Sequence, residues 1–162
     1  MNSEKSIELL NKSVADELAA VHQYMYFHFH LDDLGFAPLA SLFKRTAIAE
    51  MGHVEALADR ILFLKGDVAM AASCAVETIG EPAAMLAKAI EMEQGSVRDY
   101  NAAAQACGAD ADAVSKQLFE HLVADEEGHQ DGYERQLDNI QRFGLSYLAL
   151  QSFGAPAPPQ PE

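Results

Sequence analysis

The sequence predicts an all-α protein: a four-helix bundle with a long crossover between its second and third helices and a short fifth helix at its end. Three observations carry this reading. Ala, Leu, Glu, Met and Gln are plentiful, while Val, Ile and Thr do not cluster, a balance that favours helix over strand. Four long segments repeat apolar residues at helical spacing, each bounded by Gly, Pro or Asp. The links between them are short, then long, then short.

The first helix is expected from about Ser3 to Leu34, ended by Asp32, Asp33 and Gly35. Pro38 opens the second near its first turn, and Gly66 stops it after Lys65. The segment "DVAMAASCAVETIG" lacks sustained helical periodicity. A third helix starts at Glu81-Pro82 and runs to about Cys107, before Gly108. The fourth starts near Asp110 or Asp112 as N-cap and runs to Phe143-Gly144. "LSYLALQSFG" is the short fifth element, and residues 154–162 form a Pro-rich, disordered tail after a single domain of residues 1–153. Short links make each flanking pair an antiparallel hairpin. The central link of about 15 residues, at roughly 3.3 Å per residue, can cross the length of a bundle, so the second and third helices run parallel.

Composition narrows the function. The formal net charge of −14 argues against nucleic acid or an anionic membrane surface as partner. No run reaches the 18 or so apolar residues of a membrane helix, and "MNSEKSIELLNKS" has no apolar core of a signal peptide. Cys74 and Cys107 form no CxxC pair; a reducing cytoplasm and two buried small hydrophobes are expected.

Two Glu-x-x-His motifs stand out, Glu50-Met51-Gly52-His53 and Glu126-Glu127-Gly128-His129. Chance gives about half a match in such a chain, so the motifs alone mean little. Their register means more. Glu126 follows Glu50 by 76 positions, and His129 follows His53 by 76. Thirty-three residues before each motif stand Glu17 and Glu93, again 76 apart, each followed seven positions later by Tyr24 and Tyr100. Shared offsets of this kind mark an internal repeat. The chain reads as two helical hairpins, each with Glu-x6-Tyr on its first helix and Glu-x-x-His on its second.

Residues three apart share a helix face. Val14, Leu18, Val21, Ile48, Leu57 and Ile61 surround these positions, so part of the region is core. Buried carboxylates repel one another and are costly without a partner. A metal supplies the missing charge: four Glu carboxylates balance two ferrous ions, and carboxylate with imidazole suits iron or manganese. One Glu from each of two helices, plus Glu-x-x-His from each of the other two, is the donor pattern of di-iron carboxylate bundles.

In "LNKSVADELAAVHQY", "EMGHVEALADRILFLKG" and "DEEGHQDGYERQLDNIQRFGL" the sequence resembles bacterioferritin, of the ferritin superfamily, over residues 3–150. The resemblance implies a ferritin-like bundle with Glu17 and Glu93 as terminal carboxylate ligands, Glu50 and Glu126 as the bridging pair, and His53 and His129 as one imidazole on each iron. Tyr24 looks like the family's tyrosine beside that site. It implies ferroxidase activity: two Fe(II) per subunit are oxidised by O2 or H2O2, and iron is stored as a ferric mineral in a hollow shell. The shell is a homo-oligomer of 24 subunits built from two-fold dimers; the short fifth element favours 24 over 12. A ferredoxin-like reductant for iron release is implied as well. So is haem b shared between two subunits through Met51 of each, and Met51 lies about 100° around the helix from Glu50. Leu18, Val21, Met25 and Ile48 could supply an apolar surface beside Met51.

Several residues depart from the family. Arg45, Thr46 and Ala49 cannot serve as its His/Asp pair for iron on the inner surface, and His22 and Lys44 differ from its haem surroundings. Tyr100 is additional: a second phenol near the other iron, or a tyrosine hydrogen-bonded in the core. His22, His28, His30 and His121 read as surface or interface residues. The competing functions are a rubrerythrin-like di-iron peroxidase, whose paired CxxC motifs are missing here, a 12-subunit mini-ferritin-type peroxide-protection protein, and a helical bundle that binds nothing.

Overall fold

The structure is a computed structural model that describes residues 3–154. The proposed Pro-rich tail lies outside the described residues, apart from Gly154. Five helices follow in order: α1 Ser3–Asp33, α2 Ala37–Phe63, α3 Pro82–Ala109, α4 Ala113–Phe143 and α5 Ser146–Gly154. No strand occurs among the described residues, and no described helix is long and apolar enough to cross a membrane.

The links obey backbone stereochemistry, though not always at the expected residue. Gly35, with φ +83°, turns the chain between α1 and α2, as a glycine can without a Cβ clash. After α2 the left-handed residue is Lys65 (φ 66°), not Gly66. Gly66 is needed for another reason: a Cβ there would sit 2.8 Å from Ile7 Cγ2 and 3.0 Å from Ile61 Cγ2, so the chain passes close against these two side chains. Gly108 stays helical, and Ala111 (φ 58°) makes the turn into α4. Asp112 is the N-cap of α4, accepting from the Ser115 N–H at 3.2 Å. Its Oδ1 also accepts from Arg60 of α2 at 2.6 Å, which fastens one end of the bundle.

The crossover is laced to α1 by paired side-chain amides. Asn11 donates to the Asp67 carbonyl and accepts from the Ala69 N–H, both at 2.9 Å. Gln23 donates to the Glu77 carbonyl at 3.0 Å and accepts from the Glu77 N–H at 2.8 Å. From residue 11 to residue 23 of α1 this strap advances about 18 Å along the helix. It therefore returns the chain along the bundle, and α3 runs parallel to α2, as the link length predicts. Cys74 on the strap is exposed and Cys107 is buried, so the expectation of two buried cysteines holds only for Cys107. A strap with one side on α1 and the other in solvent has few buried positions to offer.

The core falls into two apolar clusters stacked along the bundle. One contains Tyr24, Phe27, Phe43, Met85, Leu86 and Tyr133. The other contains Leu10, Val14, Leu57, Ile61, Tyr100, Phe119 and Leu122. On each of the four long helices the residues of these clusters lie on opposite sides of one glutamate: Glu17, Glu50, Glu93 and Glu126. Each large side chain contributes about 1.5–3 kcal/mol by leaving water, and that apolar drive offsets the cost of the polar layer held between the clusters.

Candidate metal centre

The four glutamates enter the bundle one per helix, each 0–2% exposed. His53 and His129 sit one helical turn beyond Glu50 and Glu126, so their rings reach the same layer. Two donor groups result, Glu17–Glu50–His53–Glu126 and Glu50–Glu93–Glu126–His129. Within each, one donor atom per residue lies within 4.8 Å of the others. Glu50 and Glu126 belong to both groups, between the two histidines. All six residues that the sequence singles out as iron ligands are therefore together.

The distances show what the layer lacks. His53 Nδ1 is 2.8 Å from Glu50, 3.2 Å from Glu17 and 3.2 Å from Glu126. His129 Nδ1 is 3.0 Å from Glu126 and 3.1 Å from Glu50. A ring nitrogen carries at most one proton, so it cannot satisfy three carboxylates. Both Glu50 oxygens and Glu126 Oε1 are buried without a well-aligned hydrogen bond. Orphaned carboxylate oxygens facing imidazole nitrogens across a few ångströms fit a cation between them.

Without a cation, the layer balances its charge with protons. Burial pushes the Glu17 and Glu93 carboxyls well above the usual range, and repulsion from Glu50 and Glu126 adds to it. Burial alone would lower His129, but the Glu126 and Glu50 carboxylates close to its Nδ1 win and hold it up at about 10. His53 is raised in the same way by Glu126, Glu17 and Glu50 against its burial. Burial works to raise Glu126 too, yet the two histidines outweigh it and hold it below the usual range.

Two tyrosines complete the layer in a crossed pattern. Tyr24 of α1 donates to Glu93 of α3 at 2.5 Å. Tyr100 of α3 donates to Glu17 of α1. Each phenol thus holds the carboxylate of the opposite hairpin, as the 76-residue register and antiparallel α1 and α3 require. Both readings of Tyr100 meet in this contact: it is buried and hydrogen-bonded in the core, and its partner is a candidate ligand. The sequence reading passed over Asp125, whose Oδ2 lies 3.3 Å from His53 Nε2, and Tyr133, packed on Tyr24 with ring centroids 5.6 Å apart.

Around the layer, Val14, Leu57 and Ile61 are buried as expected, Leu18 and Val21 are half-buried, and Ile48 is 58% exposed. Met51 is also 58% exposed, facing away from the carboxylates that Glu50 joins.

A ferritin-like domain profile matches residues 7–143. The chain is 38% identical over 148 residues to a bacterioferritin of Rhodobacter capsulatus, covering 90% of this chain and 91% of that one. It is 35% identical over 145 residues to the bacterioferritin of Desulfovibrio desulfuricans, covering 90% and 81%. The chain belongs to the bacterioferritin family. Solved structures of the same two relatives superpose closely on it. The Desulfovibrio protein, described with its di-iron site in different catalytic states, gives a TM-score of 0.91 at 34% identity, over 95% of this chain and 90% of that one. The Rhodobacter protein, described with a metal-free dinuclear site and a haem iron, gives 0.89 at 34% identity, over 94% and 95%. The family's bundle with a short fifth helix is the fold seen here.

Proposed function

We propose that this protein is an iron-storage ferroxidase that takes Fe(II) as substrate at its buried carboxylate layer. The observation that carries the proposal is the pair of four-donor groups sharing Glu50 and Glu126. In this reading Glu17 and His53 hold one ferrous ion, Glu93 and His129 the other, and Glu50 and Glu126 bridge them. Ferrous ions displace the protons that balance the layer. Tyr24 and Tyr100 keep the two terminal carboxylates oriented as the charge changes. Each Fe(II) gives one electron; the two electrons, with two protons, reduce O2 to H2O2 or H2O2 to two waters. Ferroxidase activity is general to the family to which the chain belongs.

Ferric iron then collects as a mineral inside a homo-oligomeric shell of 24 subunits built from two-fold dimers. Leu150 and Phe153 of α5 are 70% and 89% exposed, apolar area that neighbouring subunits would cover. Haem b is assigned to Met51. Its exposed thioether beside exposed Ile48 fits an axial ligand at a surface completed by a second copy, and the haem would supply one-electron transfer for iron release. A ferredoxin-like reductant would supply those electrons. Two unpaired cysteines suit a reducing cytoplasm.

The test is anaerobic Fe(II) addition, then air, with near-ultraviolet absorbance and particle size followed together. About two Fe(II) per chain should bind tightly and oxidise fast, and larger additions should give a mineral-filled shell. Glu126→Ala should abolish the fast phase and leave assembly intact. Unchanged rapid oxidation in Glu126→Ala would sink the bridging role.

A further inference from the structure

The 76-residue repeat relates the two halves of the layer, and it fails at a position that touches one of them. His53 Nε2 lies 3.3 Å from Asp125 Oδ2. The repeat mate of Asp125 is Ala49, which has no acceptor to offer. Among the described residues nothing accepts from His129 Nε2. The difference shows in burial, with side-chain exposures of 9% for His53 and 19% for His129. On its outer side Asp125 is approached by His121, 3.5 Å away on the same helix, and the repeat mate of His121 is Arg45.

We propose that Asp125 is a positioning residue that makes the two metal half-sites unequal. A histidine ligates a metal through one ring nitrogen while the other can keep its N–H. With Nε2–H held by Asp125, His53 Nδ1 is turned towards Glu17, Glu50 and Glu126 before any metal arrives, so the nitrogen an entering cation meets is already in place. Turning the ring would break that bond. His129 meets the layer through Nδ1 alone and has no such restraint. The Glu17–His53 half-site therefore fills first and more tightly, and the Glu93–His129 half-site is the weaker and the first to empty. This rests on the di-iron reading of the layer. Partners of this kind typically change metal affinity by 10–100-fold.

Co(II) is the probe, since its visible bands report ligation and it is not consumed. The full-length metal-free protein is titrated by calorimetry and absorbance. Two steps are expected, the tighter one lost in His53→Asn and kept in His129→Asn. Asp125→Ala should weaken the tighter step by about 10–100-fold and spare the other. Asp125→Asn, whose amide oxygen still accepts from Nε2–H, should restore most of it. Ala49→Asp supplies the missing acceptor and should tighten the weaker step by about 10-fold. Loss from both steps alike in Asp125→Ala, or no loss, overturns the proposal. If Asp125→Ala does not assemble, an unchanged weaker step in Ala49→Asp overturns it. Two equal steps in the parent protein overturn the inequality while leaving the di-iron reading intact. Fewer than two Co(II) per chain overturn the di-iron reading itself, and the proposal with it.

Discussion

Stability of the metal-free protein should fall as pH rises from 7 to 9, against the ordinary behaviour of an acidic chain. The perturbation is the proton on His129. Folded, the imidazole keeps it to about pH 10; unfolded, it gives it up near 6.5. Stability from this group is complete below pH 6.5 and lost as pH climbs to about 10. Each pH unit in that window removes about 1.4 kcal/mol per proton retained. From pH 7 to 9 the loss through His129 is at most about 2.7 kcal/mol, equivalent to roughly 5–10 °C in Tm for a chain of this size. His53, raised in the same sense, adds to the trend. Glu17 and Glu93, also raised, add to it for as long as the folded state keeps protons that the unfolded chain has already lost. Glu126 is depressed, so its contribution is lost in acid and leaves this window alone. The assay is thermal unfolding of metal-free protein at pH 7, 8 and 9, for the parent chain and His129→Gln. The parent should lose Tm more steeply than the variant. Equal slopes, or a parent whose Tm rises with pH, would refute the charge balance described for the layer.

Three further outcomes follow from the same structure. Loading two divalent ions at pH 7 should release at least two protons per chain, from His53 and His129, measured by calorimetry in buffers of different ionisation enthalpy; no release would contradict the protonated empty layer. Met51→Leu should remove haem from protein expressed with ample haem supply and leave Fe(II) oxidation unaffected; an unchanged Soret band would exclude Met51 as ligand. Gly66→Ala should cost about 1–3 kcal/mol by overpacking, because its Cβ would meet Ile7 Cγ2 at 2.8 Å, and chemical denaturation checks it.

Much of this was legible in the sequence, because the repeat writes the same chemistry twice. Glu17, Glu50, His53 and their mates lie on helix faces whose spacing depends only on helical geometry, so one offset located the whole layer. The link lengths fixed the crossover. What escaped depended on contacts between helices. Asp125 reaches His53 from another helix, and the repeat gives no hint of it because its mate is Ala49. Tyr100 was visible as a residue, but its partner Glu17 lies on a helix 83 positions away. Lys65 and Ala111 take the left-handed turns that glycines were expected to take, since packing overrides a preference of about 1 kcal/mol. Ile48 is apolar and adjacent to core positions, yet it faces outward, where burial depends on a neighbouring subunit rather than on this chain.

The most direct test of the central claim is anomalous diffraction from crystals loaded with Fe(II) without oxygen. Two peaks should appear in each chain, roughly 3.5–4 Å apart as in other two-metal sites. One should lie beside His53 and Glu17 and the other beside His129 and Glu93, with Glu50 and Glu126 touching both. A single peak, or peaks that leave Glu50 and Glu126 unligated, would contradict the account.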